Sequence, residues 1–198
     1  MDSVVGRVAD RRDVGRPRAA VILVGVLVAL VCVGFAGVNV AFVMGGHVSG
    51  DGYARLVAGH SSGFTVMNWL VVVLKVIGAA VALASVTGWH RVRATVVGVA
   101  VWGAFSTLAV YVLGSLAEAA GFVLSGRTEL ITVASAGYVV FFLLFAAGFG
   151  VLAVSYARRH RLGRRHVLLG LLGAPVVLGL VLFAAPALLV ASGMLPTG

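Results

Sequence analysis

Residues 68–85 read NWLVVVLKVIGAAVALAS, an almost unbroken apolar run with one lysine in its middle. Crossing about 30 Å of hydrocarbon takes roughly 20 apolar residues, at about 1.5 Å each. The run therefore reads as the heart of a membrane-spanning helix. Its lysine, Lys75, is the only lysine in the chain. The other 14 of its 15 basic residues are arginines, and all of them lie outside the apolar runs.

Four more runs of spanning length flank this one. The expected spans are about 19–44, 67–89, 94–122, 129–157 and 167–192. Together they make one transmembrane unit, 19–192, between a basic tail at 1–18 that reads as disordered and a short tail at 193–198. The many valines would suit strands in water. In lipid the backbone must satisfy its own hydrogen bonds, so continuous runs of this length read as helices. The short alternating segments of a membrane barrel are absent. The expected fold is thus all-α: a polytopic membrane bundle of five helices. Composition agrees, with 61% hydrophobic and 11% charged residues, where a soluble domain carries about 25% charged. Pro175 and Pro186 are expected to kink the fifth helix. The first run exceeds the usual 7–15 residues of a signal-peptide core and reads as a retained anchor.

The arginines set an orientation. The N-terminal tail holds five, the turn after the second run two (Arg91 and Arg93), and the segment RRHRLGRRH at 158–166 five more. The alternate segments hold one (Arg55), one (Arg127) and none. Basic residues stay on the cytoplasmic side, so the N-terminus is expected inside and the C-terminus outside. The net charge of +9 would suggest nucleic acid in a soluble protein. Here topology accounts for it, and no nucleic-acid partner is expected. Arg158, Arg159, Arg161, Arg164 and Arg165 instead read as contacts to anionic lipid headgroups at the cytoplasmic face.

With that orientation Lys75 lies about eight residues into the second helix, roughly 12 Å deep. A lysine at a helix centre costs about 2.5–3.5 kcal/mol on insertion scales, so a compensating partner is expected. Glu118, the only acid well inside a run, lies near the outer end of the third helix. The short turn 90–93 suggests that helices two and three pack together, which would allow a Lys75–Glu118 pair. Asn68, Lys75, Ala82 and Trp89 recur every seven residues, and Tyr111 and Glu118 share a face of helix three. With Asn39 on helix one and Tyr138 on helix four, these predict a polar cluster in the outer half: Asn39, Lys75, Tyr111, Glu118 and Tyr138. The cluster could be a structural clamp or a ligand or ion pocket.

Other features carry less. Cys32, the only cysteine, reads as a small buried hydrophobe. His47, Asp51 and His60 are metal-capable types in a Gly/Ser-rich loop, at a spacing that matches no metal site. No catalytic motif is present, and neither a cofactor nor a metal is expected. Phe141, Phe142, Phe145 and Phe149 form an aromatic stripe suited to packing, to lipid contact or to an apolar ligand groove. Small residues four apart, as at Gly25/Ala29, Gly78/Ala82, Gly103/Thr107, Ala146/Gly150 and Gly170/Ala174, suit close helix packing.

FVMGGH (42–47), VVVLKVIGAAVALASV (71–86) and GYVVFFLLFAAGFGVLAVSYARR (137–159) resemble a family of small bacterial membrane proteins, common in actinobacteria, catalogued as a domain of unknown function. These stretches are similar to the Gly-Gly after its first helix, its lysine-bearing second helix and its aromatic fourth helix with a basic end. The likeness covers about residues 20–160. The His and Trp often found in the family's first helix are missing here, as is the Asp-Pro of its fourth. The family usually has four helices, so the fifth is extra. The resemblance implies fold and a bacterial plasma (inner) membrane location, and no activity. The expected function is that of a non-enzymatic accessory or self-associating bundle, homo-oligomeric or with a membrane partner, held by a Lys–Glu clamp. The alternative is a small-molecule or ion binding or transport protein using the outer-half pocket.

Overall fold

The computed structural model describes residues 17–45, 63–87 and 92–191, and every regular element among them is helical. The helices are α1 (Ala19–Gly45), α2 (Gly63–Thr87), α3 (Ala94–Leu124), α4 (Val133–Arg159) and α5 (Arg164–Ala191), with a 3-10 turn at Thr128–Leu130 before α4. Among the described residues, α1 to α4 are long and apolar enough to cross a membrane. α5 has 28 residues and continues through both Pro175 and Pro186. The tails, the loop carrying His47, Asp51 and His60, and Trp89 lie outside the described residues.

Several helix ends depart from the sequence expectation, each for a local reason. α2 begins at Gly63 rather than near 67. The apolar run was counted from Met67, whereas the helix takes in one further turn, Gly63 to Val66. α4 starts at Val133 rather than 129, because Thr132 and Ser135 form a reciprocal capping box, which fixes a helix start by satisfying orphan N–H groups. α3 ends in a Schellman motif, in which the Arg127 N–H donates to the Phe122 carbonyl and the Gly126 N–H to that of Val123. Gly126, at φ +72°, is the residue that adopts this left-handed position without steric cost. α4 closes similarly, with the Leu162 N–H donating to the Ala157 carbonyl. There the left-handed residue is Arg161, at φ +48°.

Helix packing departs more. The most extensive contacts are α1 with α2, α3 with α5 and α3 with α4, whereas α2 and α3 touch lightly. The expected packing of helices two and three is therefore corrected: the neighbour that α2 grips is α1. Both tight seams use the small residues; α1 and α2 run antiparallel, whereas α3 and α5 run parallel. Along α1–α2 the Asn68 amide donates to the Asn39 carbonyl at 3.2 Å. Lys75 follows over Phe35, then Gly78 against Cys32 and Gly25 against Val86. Along α3–α5 a Cβ at Gly103 would lie 2.7 Å from that of Ala174, and the Ser106 hydroxyl donates to the Gly103 and Gly170 carbonyls at 3.0 and 3.4 Å.

The buried core joins Val28, Ala29 and Cys32 of α1, Ala79, Ala82 and Val86 of α2, Val97 and Val101 of α3, and Phe149, Leu152, Ala153 and Tyr156 of α4. These residues lie in the halves of the helices nearer Arg93 and Arg158–Arg165, here termed the basic end. Toward the opposite end burial falls away: no residue of α3 beyond Val112, and none of α4 before Ala146, is buried. Outward-facing positions are apolar and open, with Leu23, Leu30, Val38, Leu113, Leu144 and Leu172 each more than half exposed.

A Cβ at Gly170 would lie 2.5 Å from the Trp102 Cβ and 2.7 Å from the Val99 carbonyl oxygen, whereas one at Gly173 meets nothing within 4 Å. Gly170→Ala is expected to destabilise the bundle by about 1–3 kcal/mol through overpacking. Gly173→Ala is expected to be neutral or slightly stabilising through helix propensity. Thermal unfolding of the two variants in the same detergent checks the contrast.

Candidate functional site

Lys75 is the central residue of α2, thirteenth of the 25 in Gly63–Thr87. At about 1.5 Å per residue it sits about 18 Å from either end, deeper than the sequence suggested because the helix starts earlier. Its ammonium lies over the Phe35 ring of α1, with Nζ 4.9 Å from the centroid. The ring's negative face attracts the cation. Lys75 reaches Phe35 because both lie on the α1–α2 seam, Lys75 on the seven-residue stripe with Asn68 and the fully buried Ala82. The stripe is the packing face of α2, as expected, but it packs on α1.

The structure does not bring Lys75 and Glu118 together. Glu118 is exposed on a helix that barely touches α2. It lies six residues from the end of α3 at Leu124, about 9 Å along the axis against about 18 Å for Lys75. The expected Lys–Glu clamp is corrected to a cation–π contact between α1 and α2.

Two of the other three cluster residues, Tyr111 and Tyr138, are drawn into one neighbourhood by rings the sequence reading had set apart. From Phe35 the contacts pass to Phe141 at 5.1 Å and Phe142 at 6.5 Å between ring centroids. Phe142 meets Tyr111 of α3 at 4.7 Å and Tyr138 of α4 at 6.2 Å. Separations of 4.5–7 Å are those at which aromatic pairs attract. Asn39 stays apart from the rings, on the α1–α2 seam, where its backbone carbonyl accepts from Asn68. Tyr111 and Tyr138 are 51% and 58% exposed. The assembly is a ladder of rings from three helices, with a cation at its deep end. Phe35 was missed because a lone phenylalanine in an apolar run carries no sequence signal. Its position opposite Lys75 follows only from the seam's register.

A second polar tie lies at the basic end. Arg159, the last residue of α4, was expected to face lipid headgroups with its neighbours. Arg158, Arg161, Arg164 and Arg165 are exposed, but Arg159 is only partly so. Its guanidinium donates to the Ser85 carbonyl of α2 at 2.7 Å and lies over the Tyr156 ring at 5.7 Å. The Ser85 carbonyl is among the last four of α2, which have no partner within the helix. A cation there also meets the negative end of the helix dipole. Just beyond α4, His160 stacks on Tyr156 with centroids 4.2 Å apart. Desolvation and the Arg159 charge both hold its imidazole below the ordinary value of 6.5. The fold favours neutral His160, so stability is present above that value and declines as pH falls below it.

Comparison with known proteins returns no matching family model, no matching curated protein and no matching solved structure.

Arg159→Ala should cost about 1.5–3 kcal/mol, the range for a hydrogen bond to a charged group. The exposed Arg165→Ala should stay within about 0.5 kcal/mol of the parent. Chemical unfolding in mixed micelles, followed by helical circular dichroism, measures both.

Proposed function

We propose that the chain is a five-span, non-enzymatic protein of the bacterial plasma membrane, an accessory or self-associating bundle, with its N-terminus in the cytoplasm and its C-terminus outside. The observation that carries this reading is the inversion of the fold's surface. Large apolar side chains cover the outward faces of α1 to α5, and the basic residues of the α4–α5 turn gather at one end. A soluble monomer rarely exposes apolar patches beyond a few hundred square ångströms, whereas lipid-facing helices require them. Helices in lipid gain no hydrophobic drive toward one another and associate through close packing and a few polar ties. The small-residue seams, the Lys75–Phe35 contact and the Arg159–Ser85 bond are such devices.

Arg158, Arg161, Arg164 and Arg165 are held for anionic headgroups at the cytoplasmic face. Arg161 supports that role. It occupies a left-handed backbone position that disfavours side-chain-bearing residues by roughly 1–2 kcal/mol. An arginine there keeps a cation in a turn that glycine would close at lower cost.

A second reading, binding of a small lipid-soluble molecule, is favoured by the exposed tyrosines of the ring ladder and by a central cation that has no carboxylate beside it among the described residues.

The topology is tested with alkaline phosphatase and green fluorescent protein fused after residues 162 and 198. Fluorescence without phosphatase activity is expected at 162, and phosphatase activity without fluorescence at 198. Fluorescence at 198 would mean that α5 does not cross and would overturn the five-span reading.

A further inference from the structure

An ammonium has three N–H donors and no acceptor. Phe35 attracts the charge of Lys75 but accepts only weakly from N–H groups. The one acid of α3 that the sequence offered lies about 9 Å nearer the far end by helical rise. At mid-membrane depth water does not reach the remaining donors, and leaving them unmatched is costly. From this point the rings ascend toward the non-basic end. Counted from the far ends of their helices, Phe35 is about 15 Å deep, Phe142 about 14 Å and Tyr138 about 8 Å, with Tyr111 set against Phe142. The two tyrosines that flank Phe142 leave about half their surface free. Packing also thins here: among the described residues, none of α3 beyond Val112 and none of α4 before Ala146 is buried.

We infer that Lys75 and the ring ladder Phe35–Phe142–Tyr111–Tyr138 bind a lipid-soluble quinone. This rests on the second reading above and names its ligand class. Three features select it. The Lys75 ammonium calls for an oxygen acceptor, and a charge-assisted hydrogen bond to a carbonyl is stronger than a neutral one. The ladder calls for a flat conjugated ring, which continues a series of aromatic contacts at 4.7–6.5 Å. The depth calls for a polar group that enters hydrocarbon without a charge of its own. That disfavours a phospholipid headgroup, which stays at the interface, and a fatty-acid carboxylate, whose desolvation is expensive. A quinone carries its carbonyls on the ring and its tail in lipid. Binding alone is inferred, with no redox step.

The test uses the full chain in phosphatidylcholine nanodiscs, titrated with an azido-benzoquinone photolabel and mapped by peptide mass spectrometry. Empty discs correct for partitioning. Saturable labelling within residues 105–145, displaced by excess unlabelled ubiquinone-1 but not by laurate, is the expected result. Lys75→Met should weaken labelling at least tenfold. Tyr138→Leu, an exposed change that leaves the seam intact, should weaken it severalfold with an unchanged melting temperature. Arg165→Ala should leave it unaltered. Displacement by laurate as effective as by ubiquinone-1 would overturn the quinone assignment and keep the small-molecule reading. Absence of saturable labelling by helical, monodisperse protein would overturn the quinone proposal. If laurate also failed to bind such protein, in a direct titration, the small-molecule reading would fall with it.

Discussion

Close approach between backbones is the constraint on which the rest of this structure depends. A helix surrounded by hydrocarbon is not driven against its neighbour by water. It stays there if the two surfaces fit closely enough for dispersion to favour protein over lipid, a condition met where side chains are smallest. Gly25 against Val86 and Gly78 against Cys32 hold α1 to α2, and Gly103 and Gly170 seat α3 on α5. Each seam then carries a few polar contacts: Asn68 with Asn39 and Lys75 with Phe35 on one, Ser106 with Gly170 on the other. The polar contacts set register along surfaces that would otherwise slide.

The seam also explains how a lysine is accommodated at the centre of an apolar helix. Its ammonium cannot reach either end of α2 by extending its stem, and among the described residues no carboxylate comes to it. A ring face from the adjoining helix provides attraction without a second charge to desolvate. The two ends of the bundle consequently differ. At the basic end Arg159 closes α2 onto α4 over a packed core. At the other end the rings of α1, α3 and α4 gather around Phe142 and remain half open. One end is closely packed, whereas the other leaves Tyr111 and Tyr138 half exposed.

Much of this was legible in the sequence. Apolar run length located α1 to α4 to within a few residues, since spanning length is a direct constraint on composition. The heptad of Asn68, Lys75 and Ala82 identified the buried face of α2, and the small pairs at Gly25, Gly78, Gly103 and Gly170 fell on real seams. Which helix lay against that face was not legible. A short turn between α2 and α3 suggested adjacency, yet the tightest fit for the glycine face of α2 was on α1, across a much longer connection. The Lys75–Glu118 pairing failed with it, because Glu118 is both on the wrong neighbour and too near its helix end. Arg159 could not be told from its neighbours by charge counting. Its inward turn depends on the Ser85 carbonyl, a backbone group that no residue pattern advertises.

Disulfide cross-linking in native membranes addresses the α1–α2 seam most directly. With Cys32 replaced by alanine, cysteines are placed at Asn39 and Asn68 in one protein and at Lys75 and Glu118 in another, and mild oxidation is applied. The seam predicts rapid intramolecular cross-linking of the 39/68 pair and none of the 75/118 pair. Cross-linking of 75/118 without 39/68 would place α2 against α3 and contradict the account.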